Sequence, residues 1–586
     1  MYMMENSADE NGNTITKPLL DDDNNSSSAK GGFRTIPFIL ANESFEQVAS
    51  YGLQPNMILY LTREYHLKMT TGSNIIFLWS AATNFKPLLS AIVADIFVGR
   101  FRMILFGCVF SLLGMALLWL TTMIPQTRPP PCDESSNNCS SATTLQLFLL
   151  CSCFGLMSIG AGGTRSSSLA FGADQLKKAG GRRNGWILES YFSWYYASCT
   201  ISVLIASTCI VYVQEKMGWQ VGFGIPVILM FLSALSFSLA SPCYVKLKAK
   251  STIIVELLQV AVASCRKRHI DLSTESSNMI YHHQKGSSIL PSEKLRFLNK
   301  ACIIVDPEKD LTTDGRAADP WTLCTINQVE DLKTLLKVIP LWSTGMIMSV
   351  NISQNSFPVL QANSMNRRFG SSFEIPAGSF GMFTIISIII WIALYDRVFL
   401  PIASKIMGKH VHLSARKRMA IGMLLSFVCM VVTATVEAKR RNLAIREGYS
   451  DASEAVVDMS ALWLLPLDCL IGFAEASSAV AQNEFYYSEF PRSMKSIAST
   501  LFLLETSVAN LVASFLMNII DKLLKRGGKE SWISTNINKG HYDYYYWVLA
   551  GLSMLNMIYF LICSKAYGPG KEDKKEKTLP GQDEQD

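Results

Sequence analysis

The sequence predicts an all-α membrane protein with twelve transmembrane helices in two halves of six. Three observations lead to this fold class. Of the 586 residues, 49% are hydrophobic and only 17% are charged, whereas soluble domains carry about a quarter charged residues. Twelve apolar stretches approach or exceed the ~20 residues that a helix needs to cross a bilayer. A long polar segment separates the first six stretches from the last six.

The twelve stretches can be placed by their length and by the polar residues that bound them. They lie near residues 36–61, 72–97, 103–124, 145–170, 188–213 and 221–241 in the first half, and near 334–358, 376–395, 418–437, 459–484, 497–519 and 545–564 in the second. The chain then divides into a disordered cytoplasmic tail (1–34), a six-helix bundle (35–241), a cytoplasmic linker (242–333), a second six-helix bundle (334–566) and a disordered cytoplasmic tail (567–586).

Basic residues predict that both termini and the linker face the cytoplasm. Clusters at 100–102, 177–183, 266–268 and 416–418 lie on that side of a twelve-helix arrangement. Two further clusters, at 439–441 and 522–526, fall on the opposite side and weaken the asymmetry. We expect a multi-pass protein of the plasma membrane, rather than of the vacuolar membrane.

The segment from about residue 125 to residue 141 is predicted to be an extracellular loop. Asn138 begins a glycosylation sequon, although the cysteine in its middle position makes it a weaker acceptor than most. Cys132 and Cys139 share this loop on the oxidising side of the membrane. They form a disulfide there or remain as two free thiols.

Two glutamates lie inside the first predicted transmembrane helix. Glu43 and Glu46 are three residues apart and Gln47 follows, so all three side chains share one helical face. Ionisable residues at this depth are costly and mark ion or substrate pathways. Burial favours the neutral carboxyl and a nearby cation favours the carboxylate, so the pair can exchange a proton near neutral pH. The alternative is a structural pair that holds a basic residue of another helix.

Sequence motifs of catalysis and metal binding are absent. No phosphate-binding glycine loop of the Walker type occurs, the seven histidines are scattered in tails and loops, and the net charge of +6 is spread among the loops. These features argue against an enzyme, an ATP-driven pump, a bound cofactor or metal, and a nucleic-acid partner. The expected partners are the lipid bilayer, a small molecule and the ions whose gradient drives it.

The segment from Asp95 to Arg100, after the second stretch, resembles the motif between helices two and three of the major facilitator superfamily. In that superfamily the aspartate belongs to the charge cluster that locks the cytoplasmic gate. Asp396 and Arg397 repeat the pattern at the end of the eighth stretch. Because transporters are often built from internal repeats, we predict that these residues form the gate.

Further motifs extend the resemblance over roughly residues 35 to 567. They are Glu43 with Glu46 on helix one, Gly160 to Arg165 on helix four, Ala170 to Gln175 after it, Trp194 to Tyr196 on helix five, Pro320 to Thr325 before helix seven, and Glu475 with Glu484 to Tyr487 on helix ten. Together they resemble the plant nitrate/peptide transporter family, the proton-coupled oligopeptide transporter group of the superfamily. Two more segments, 351–357 and 542–547, are most similar to its first subfamily, whose studied members are associated with low-affinity nitrate transport.

The resemblance implies roles for individual residues. Glu43 and Glu46 match the first two positions of the family's proton-coupling motif, while Gln47 stands where arginine or lysine is usual. Arg165 stands where many relatives have a lysine that pairs with these glutamates, so a cation is retained. Loss of the helix-one cation removes positive charge from the cavity, which weakens anion attraction or the tuning of the carboxylates. Glu475 matches a glutamate that joins the gate between helices seven and ten.

The predicted lining of the cavity suits more than one substrate. Asn351 aligns with a histidine that holds the anion in some nitrate-transporting relatives, and an amide adds no charge. The other candidates are Gln47, Tyr51, Asn84, Lys86, Gln354, Asn355 and Glu475. We expect proton-coupled symport of a small anion, nitrate first. The alternatives are a transporter of peptides or of carboxylated hormones and metabolites, and a nutrient sensor with little flux.

Two further acids are unusual for the family. Asp468 on helix ten and Glu505 on helix eleven lie inside predicted transmembrane helices. A hydrogen bond to a neighbouring helix and a role in transport are equally compatible with either position.

Overall fold

The computed structural model is largely helical. The described residues are 31–131, 140–176, 183–246, 253–270, 280–283, 290–312, 314–370, 373–408, 413–491, 494–525 and 531–568. Their helices are α1 (Ile36–Leu53), α2 (Met57–Arg63), α3 (Met69–Val93), α4 (Arg100–Met123), α5 (Thr144–Leu176), α6 (Arg183–Ile205), α7 (Val211–Leu239), α8 (Ile253–Arg266), α9 (Pro307–Asp310), α10 (Ile326–Ile352), α11 (Ser356–Asn363), α12 (Gly381–Leu394), α13 (Leu400–Met407), α14 (Ala415–Arg446), α15 (Leu465–Glu489), α16 (Lys495–Leu524) and α17 (Tyr542–Tyr567).

Short elements complete the described structure. Five-residue π-helical turns lie at Ala94–Val98, Ala206–Ile210 and Tyr395–Phe399. The strands are β1 (Met365–Asn366), β2 (Arg368–Phe369), β3 (Phe373–Glu374) and β4 (Val457–Ser460). Strand β1 pairs with β4 in parallel, and β2 pairs with β3 antiparallel.

Ten helical segments of the described chain are long and apolar enough to cross a membrane. One of them, Ile187–Leu239, contains two helices, because at Gly218 the backbone leaves helical geometry with φ 82° and ψ 173°. That positive φ is readily adopted only by glycine. Helix α1 carries the two glutamates and is not among the ten. Each of the twelve stretches expected from the sequence therefore corresponds to a helix. The predicted all-helical membrane fold is confirmed, while the count of twelve membrane-spanning helices remains a prediction.

The same pairs of helices pack in the two halves of the chain. In the first half α5 packs on α3 and α4, and α7 packs on α1 and α4. In the second half α15 packs on α12 and α14, and α17 packs on α10 and α14. The extensive contact between α3 and α16 joins the halves. This repetition is what an internal repeat produces, although the predicted domain boundaries remain predictions.

The linker packs against the second half. Leu257, Val260 and Ala263, on one face of α8, share an apolar cluster with Val329 of α10. Helix α10 begins with a capping box, in which the Thr325 side chain accepts from the backbone N–H of the third helical residue. The start of α10 and the linker helix therefore stabilise each other.

The basic cluster at 439–441 lies on a helix, because α14 continues to Arg446 instead of ending near residue 437. The Nζ atom of Lys439 lies 3.9 Å from the ring centroid of Trp463. Arg441 donates to the backbone oxygen of Gly540 at 2.9 Å. Structural contacts thus engage these cations on what the predicted orientation makes the extracellular side.

Arg440 forms a completely buried ion pair with Glu437. Both side chains are 0% exposed, and the guanidinium donates to the two carboxylate oxygens at 2.9 and 2.8 Å. Gln361 of α11 also donates to Glu437 at 2.8 Å, and Asn538 accepts from Arg440 at 2.7 Å. The pair therefore ties α14 to α11 and to the loop before α17.

We expect Arg440→Met to destabilise the protein strongly. The substitution leaves the Glu437 carboxylate buried without a cation, which costs about 3–5 kcal/mol in comparable pairs. The melting temperature of the purified protein in detergent measures the effect. Adding Glu437→Gln should restore most of the loss, because no charge then remains buried. Lys309→Ala is the control, since that side chain is 85% exposed. Equal melting temperatures for Arg440→Met and Lys309→Ala would contradict the assignment.

Three residues of the sequence analysis lie outside the described part of the chain. They are Asn138, Cys132 and Cys139 of the predicted extracellular loop. The described structure also excludes the side chain of Asp396. The glycosylation and disulfide predictions therefore remain predictions.

Candidate functional site

Helix α1 buries both glutamates in the first half of the protein. Glu43 is 1% exposed and Glu46 is 0% exposed. Gln47 Nε2 donates to Glu43 Oε1 at 2.8 Å, and Ser50 Oγ donates to Glu46 Oε1 at 2.7 Å. The second oxygen of each carboxyl group is buried without a hydrogen-bond partner among the described residues. Each carboxyl can therefore accept a proton on an oxygen that no neighbour occupies.

Arg165 of α5 is the cation of this cluster. Its guanidinium carbon lies 5.0 Å from the ring centroid of Tyr51 on α1, a cation–π contact. The side chain interacts electrostatically with both Glu46 and Glu43. Its Nε and Nη2 atoms are buried and have no hydrogen-bond partner in the described structure. The two carboxyl groups and the guanidinium thus interact electrostatically without a described hydrogen bond between them. Two guanidinium nitrogens therefore have no hydrogen-bond acceptor among the described residues.

Tyr195 of α6 closes the cluster on the side of Glu43. It is 6% exposed and interacts with the Glu43 carboxyl, while its neighbours Trp194 and Tyr196 are 68% and 59% exposed. The family resemblance includes Tyr195 in the motif on helix five but does not place it beside a carboxyl. Residues 194 to 196 are all aromatic, so the sequence does not show which of the three is buried.

Two of the predicted cavity residues form hydrogen bonds with other helices of the second half. Asn351 donates to the hydroxyl oxygens of Ser426 at 2.9 Å and Ser553 at 2.8 Å. Gln354 accepts from the hydroxyl of Tyr545 at 3.1 Å. These bonds tie α10 to α14 and α17, so a substrate that contacts either amide must compete with them.

The remaining candidates have no described hydrogen bond or ion pair with the glutamate cluster. Asn84 donates to the backbone oxygen of Ser80 at 2.9 Å. Asn355 is exposed at the start of α11. Lys86 of α3 packs its stem beside Gly162 of α5, where an added Cβ would lie 2.8 Å from the Lys86 Cβ.

Glu475 of α15 differs from the other buried acids. It is half-buried in the structure and has no hydrogen-bond or ion-pair partner among the described residues. The structure brings together Glu43, Glu46, Gln47, Tyr51 and Arg165 and does not join Glu475 to a cation of α10. Its predicted role in a gate between helices seven and ten remains a prediction.

The gate motif of the first half forms an ion-pair cluster that includes one further residue. Asp95 lies in the π-helical turn Ala94–Val98, and Arg100 begins α4. Arg100 pairs with Asp95 at 3.3 Å and with Asp174, near the end of α5, at 2.6 Å. Asp174 is in the motif that follows helix four, but the two partners are 74 residues apart. That separation hides the pair from sequence analysis.

The second half repeats this arrangement with different partners. Its π-helical turn, Tyr395–Phe399, holds Asp396 and Arg397, and Arg397 is exposed. Arg418, in the first turn of α14, forms a short ion pair with Glu484 of α15 and lies 4.9 Å from the Tyr395 ring centroid. The cation corresponding to Arg100 is therefore Arg418.

Ion pairs join the two halves at one end of the described structure. Glu215 pairs with Arg367 at 2.6 Å, Lys216 with Glu374 at 3.5 Å, and Arg63 with an acid of the second half at 3.6 Å. All three lie on the side of the 125–141 loop. On the opposite side, the described ion pairs of Arg100 and Arg418 stay within one half. The described ion pairs between the two halves are therefore found at this end.

Comparison with known proteins gives consistent matches. Residues 101–533 match the family model PTR2, described as the POT family. The chain is 53% identical to Protein NRT1/PTR FAMILY 1.2 of Arabidopsis thaliana, with 93% of this chain and 91% of that protein covered. It is 51% identical to Protein NRT1/PTR FAMILY 1.1 of the same plant, with 99% and 98% covered.

Solved structures match along the whole fold. A crystal structure of an auto-inhibited POT family peptide transporter gives a TM-score of 0.65 at 18% identity, covering 91% of this chain and 97% of that one. A POT family transporter in complex with 5-aminolevulinic acid gives a TM-score of 0.60 at 14% identity, covering 92% and 98%. At these identities the likeness concerns the fold.

Proposed function

This chain belongs to the POT family of proton-coupled transporters, and on that premise we propose that it carries a small anion, nitrate first, into the cell together with protons. It is a multi-pass membrane transporter and not an enzyme. The proposal concerns the substrate, the direction of transport and the residues that perform it.

The proposal rests on one observation, the guanidinium nitrogens of Arg165 that have no hydrogen-bond acceptor in the described structure. Two of its nitrogens are buried and lack a partner among the described residues. A guanidinium presents parallel N–H donors that match a planar oxyanion, and such charge-assisted pairs are stronger than neutral hydrogen bonds. Nitrate is planar with three equivalent oxygens. Arg165 therefore has the charge and the geometry to bind it.

Glu43 and Glu46 provide the coupling to protons. With both carboxyl groups ionised, the cluster with Arg165 has a net charge of about −1 and repels an anion. Protonation of one glutamate neutralises the cluster, and protonation of both makes it positive. Proton binding therefore raises anion affinity, and by linkage anion binding raises proton affinity by the same factor. This reciprocity is the thermodynamic basis of symport.

The membrane potential sets a requirement on the stoichiometry. An inside-negative potential opposes the inward movement of one negative charge by about 2.3 kcal/mol per 100 mV. One proton per nitrate makes the step electrically neutral. With two protons per nitrate, one net positive charge enters and the same potential contributes about 2.3 kcal/mol. We infer that more than one proton accompanies each anion.

Labelled uptake tests the proposed substrate. Cells that produce the protein should accumulate labelled nitrate faster at acidic than at neutral external pH, and excess dipeptide or organic carboxylate should compete weakly. Cells without the protein are the control. Dipeptide uptake without nitrate uptake would instead support a peptide transporter. Binding of nitrate without flux would support a nutrient sensor.

We also propose that the protein lies in the plasma membrane with both termini in the cytoplasm, so the 125–141 loop faces outside. An amino-terminal tag should then stain only permeabilised cells. Glycosidase should shift the protein on a gel, and Asn138→Gln should abolish that shift. Staining of intact cells would contradict the orientation. Absence of any shift in the unmodified protein would contradict the glycosylation of Asn138.

A further inference from the structure

Glu505 of α16 is a buried acid in the second half, away from the cluster on α1. It is 2% exposed and accepts hydrogen bonds from Gln482 Nε2 of α15 and, at 3.1 Å, from Ser349 Oγ of α10. Gln482 Nε2 also donates to the Tyr486 hydroxyl at 2.9 Å. The carboxyl group therefore links three helices.

The surroundings of Glu505 contain no cation among the described residues. Helix α10 contributes Gly345 and Ser349, and α15 contributes Gln482 and Tyr486, whose hydroxyl is the one titratable group that faces the site there. One contact between α3 and α16 near this depth is the hydrogen bond that the Ser507 hydroxyl donates to the backbone oxygen of Ala81. Neutral donors compensate a buried carboxylate incompletely, so a protonated carboxyl is the less costly form inside the membrane.

Gln482, which donates to Glu505, belongs to a polar face of α15. Asp468, Glu475, Gln482 and Glu489 follow one another at intervals of seven residues, about 10.5 Å along the helix. Successive members turn by only about 20°, so they share one face. Glu475, next to Gln482 in this series, is half-buried with no partner among the described residues. Glu475 therefore lies about two helical turns along α15 from Gln482 of the Glu505 cluster.

Glu505 packs directly against α10, so the protonation state of Glu505 affects how this helix packs. A Cβ added at Gly345 would overlap the Glu505 carboxyl group, so a side chain there would displace the carboxyl group. Pro340, one and a half turns earlier in α10, interrupts the helical hydrogen bonds. An ionised Glu505 can only accept from Ser349, whereas a protonated carboxyl group can also donate to the Ser349 hydroxyl. Protonation can therefore alter this contact with α10, a helix that can bend at the nearby Pro340.

We propose that Glu505 is a second proton-binding site, which takes up and releases a proton during the transport cycle. The proposal rests on the proposed proton-coupled function and adds to it a carboxyl group in the second half. Glu43 and Glu46 then need not supply every proton that accompanies the substrate.

Infrared difference spectroscopy of the purified protein tests the site without any substrate. The unmodified protein should show a carbonyl stretch of a protonated carboxyl group whose intensity changes with pH. Glu505→Gln should remove that component, since the amide cannot titrate, while its carbonyl oxygen can still accept one of the two hydrogen bonds. Glu489→Gln is the matched control, because Glu489 lies on the same face, is 5% exposed and accepts from the Tyr567 hydroxyl at 2.8 Å. Glu505→Asp should retain a titrating band.

Two infrared outcomes would overturn the proposal. One is a spectrum of Glu505→Gln with the same bands as that of Glu489→Gln. The other is a Glu505 band that does not change with pH, which would show a permanently protonated structural group. Normal melting temperatures of the variants establish that they are folded.

Proton flux in liposomes measures the role of the site in transport. The ratio of protons to nitrate, taken from the reversal potential, should be lower by about one in Glu505→Gln and unchanged in Glu489→Gln. An unchanged ratio in Glu505→Gln would overturn the transport role. If the unmodified protein moves no nitrate, the proposed substrate fails, while the infrared result still decides whether Glu505 titrates.

Discussion

Replacing Arg165 with alanine is expected to reduce nitrate uptake to near background at every external pH. The substitution removes the proposed anion ligand and leaves Glu43 and Glu46 without their cation. Loss of one partner from a buried charged group costs about 3–5 kcal/mol, which corresponds to roughly a hundredfold to five-thousandfold in rate if the full cost falls on transport. Surface labelling establishes that the variant reaches the membrane, and labelled uptake measures the loss.

A double-mutant cycle identifies the cluster through which Arg165 acts. Gln47 donates to Glu43 at 2.8 Å, so Gln47→Arg places a cation beside the same carboxyl. Adding it to Arg165→Ala should restore part of the uptake. Residues that share a network give non-additive effects, whereas independent sites give additive ones. Additive effects of the two substitutions, or a mild effect of Arg165→Ala alone, would contradict a shared cluster.

Glu43→Gln and Glu46→Gln are expected to abolish the stimulation of uptake by acid. Each amide has the shape of the protonated carboxyl group and can still accept from Gln47 or Ser50, so the fold should persist while the titrating group is lost. Uptake should then vary less than about twofold across the pH range in which the unmodified protein responds.

Ser50→Ala provides the matched control for the glutamate variants. It removes the 2.7 Å hydrogen bond to Glu46 and keeps the carboxyl group. Acid stimulation should therefore survive, with a displaced midpoint. Full acid stimulation in both glutamate variants would contradict their role as the coupling carboxyls.

The sequence predicted the helices well because the bilayer imposes their length. Twelve apolar stretches lead to twelve helices, and the depth of Glu43 and Glu46 is read directly from their place in the first stretch. Their shared burial with Arg165 follows from the family resemblance and not from spacing, since α1 and α5 are far apart in the chain. The roles of these residues in transport remain predictions.

The contacts between distant helices could not be predicted from the sequence. Sequence repetition predicts Asp396 and Arg397 as the second gate pair, which remains a prediction, and it gives no sign of the ion pair between Arg418 and Glu484. Arg440 follows the end of the apolar stretch predicted near 418–437, yet its side chain is 0% exposed because Glu437 neutralises it one helical turn away. A sequence shows which residues are charged and how deep in the membrane they lie. Which of these charges form ion pairs depends on which helices become neighbours.

Simultaneous recording of current and labelled nitrate uptake on the same voltage-clamped cells tests the central claim most directly. If more than one proton accompanies each nitrate ion, nitrate added at acidic external pH should produce an inward current of positive charge that grows with inside-negative potential, together with accumulation of label. Arg165→Ala should lose both signals. Nitrate accumulation with a current of the opposite sign, carried by the anion itself, would contradict proton-coupled symport.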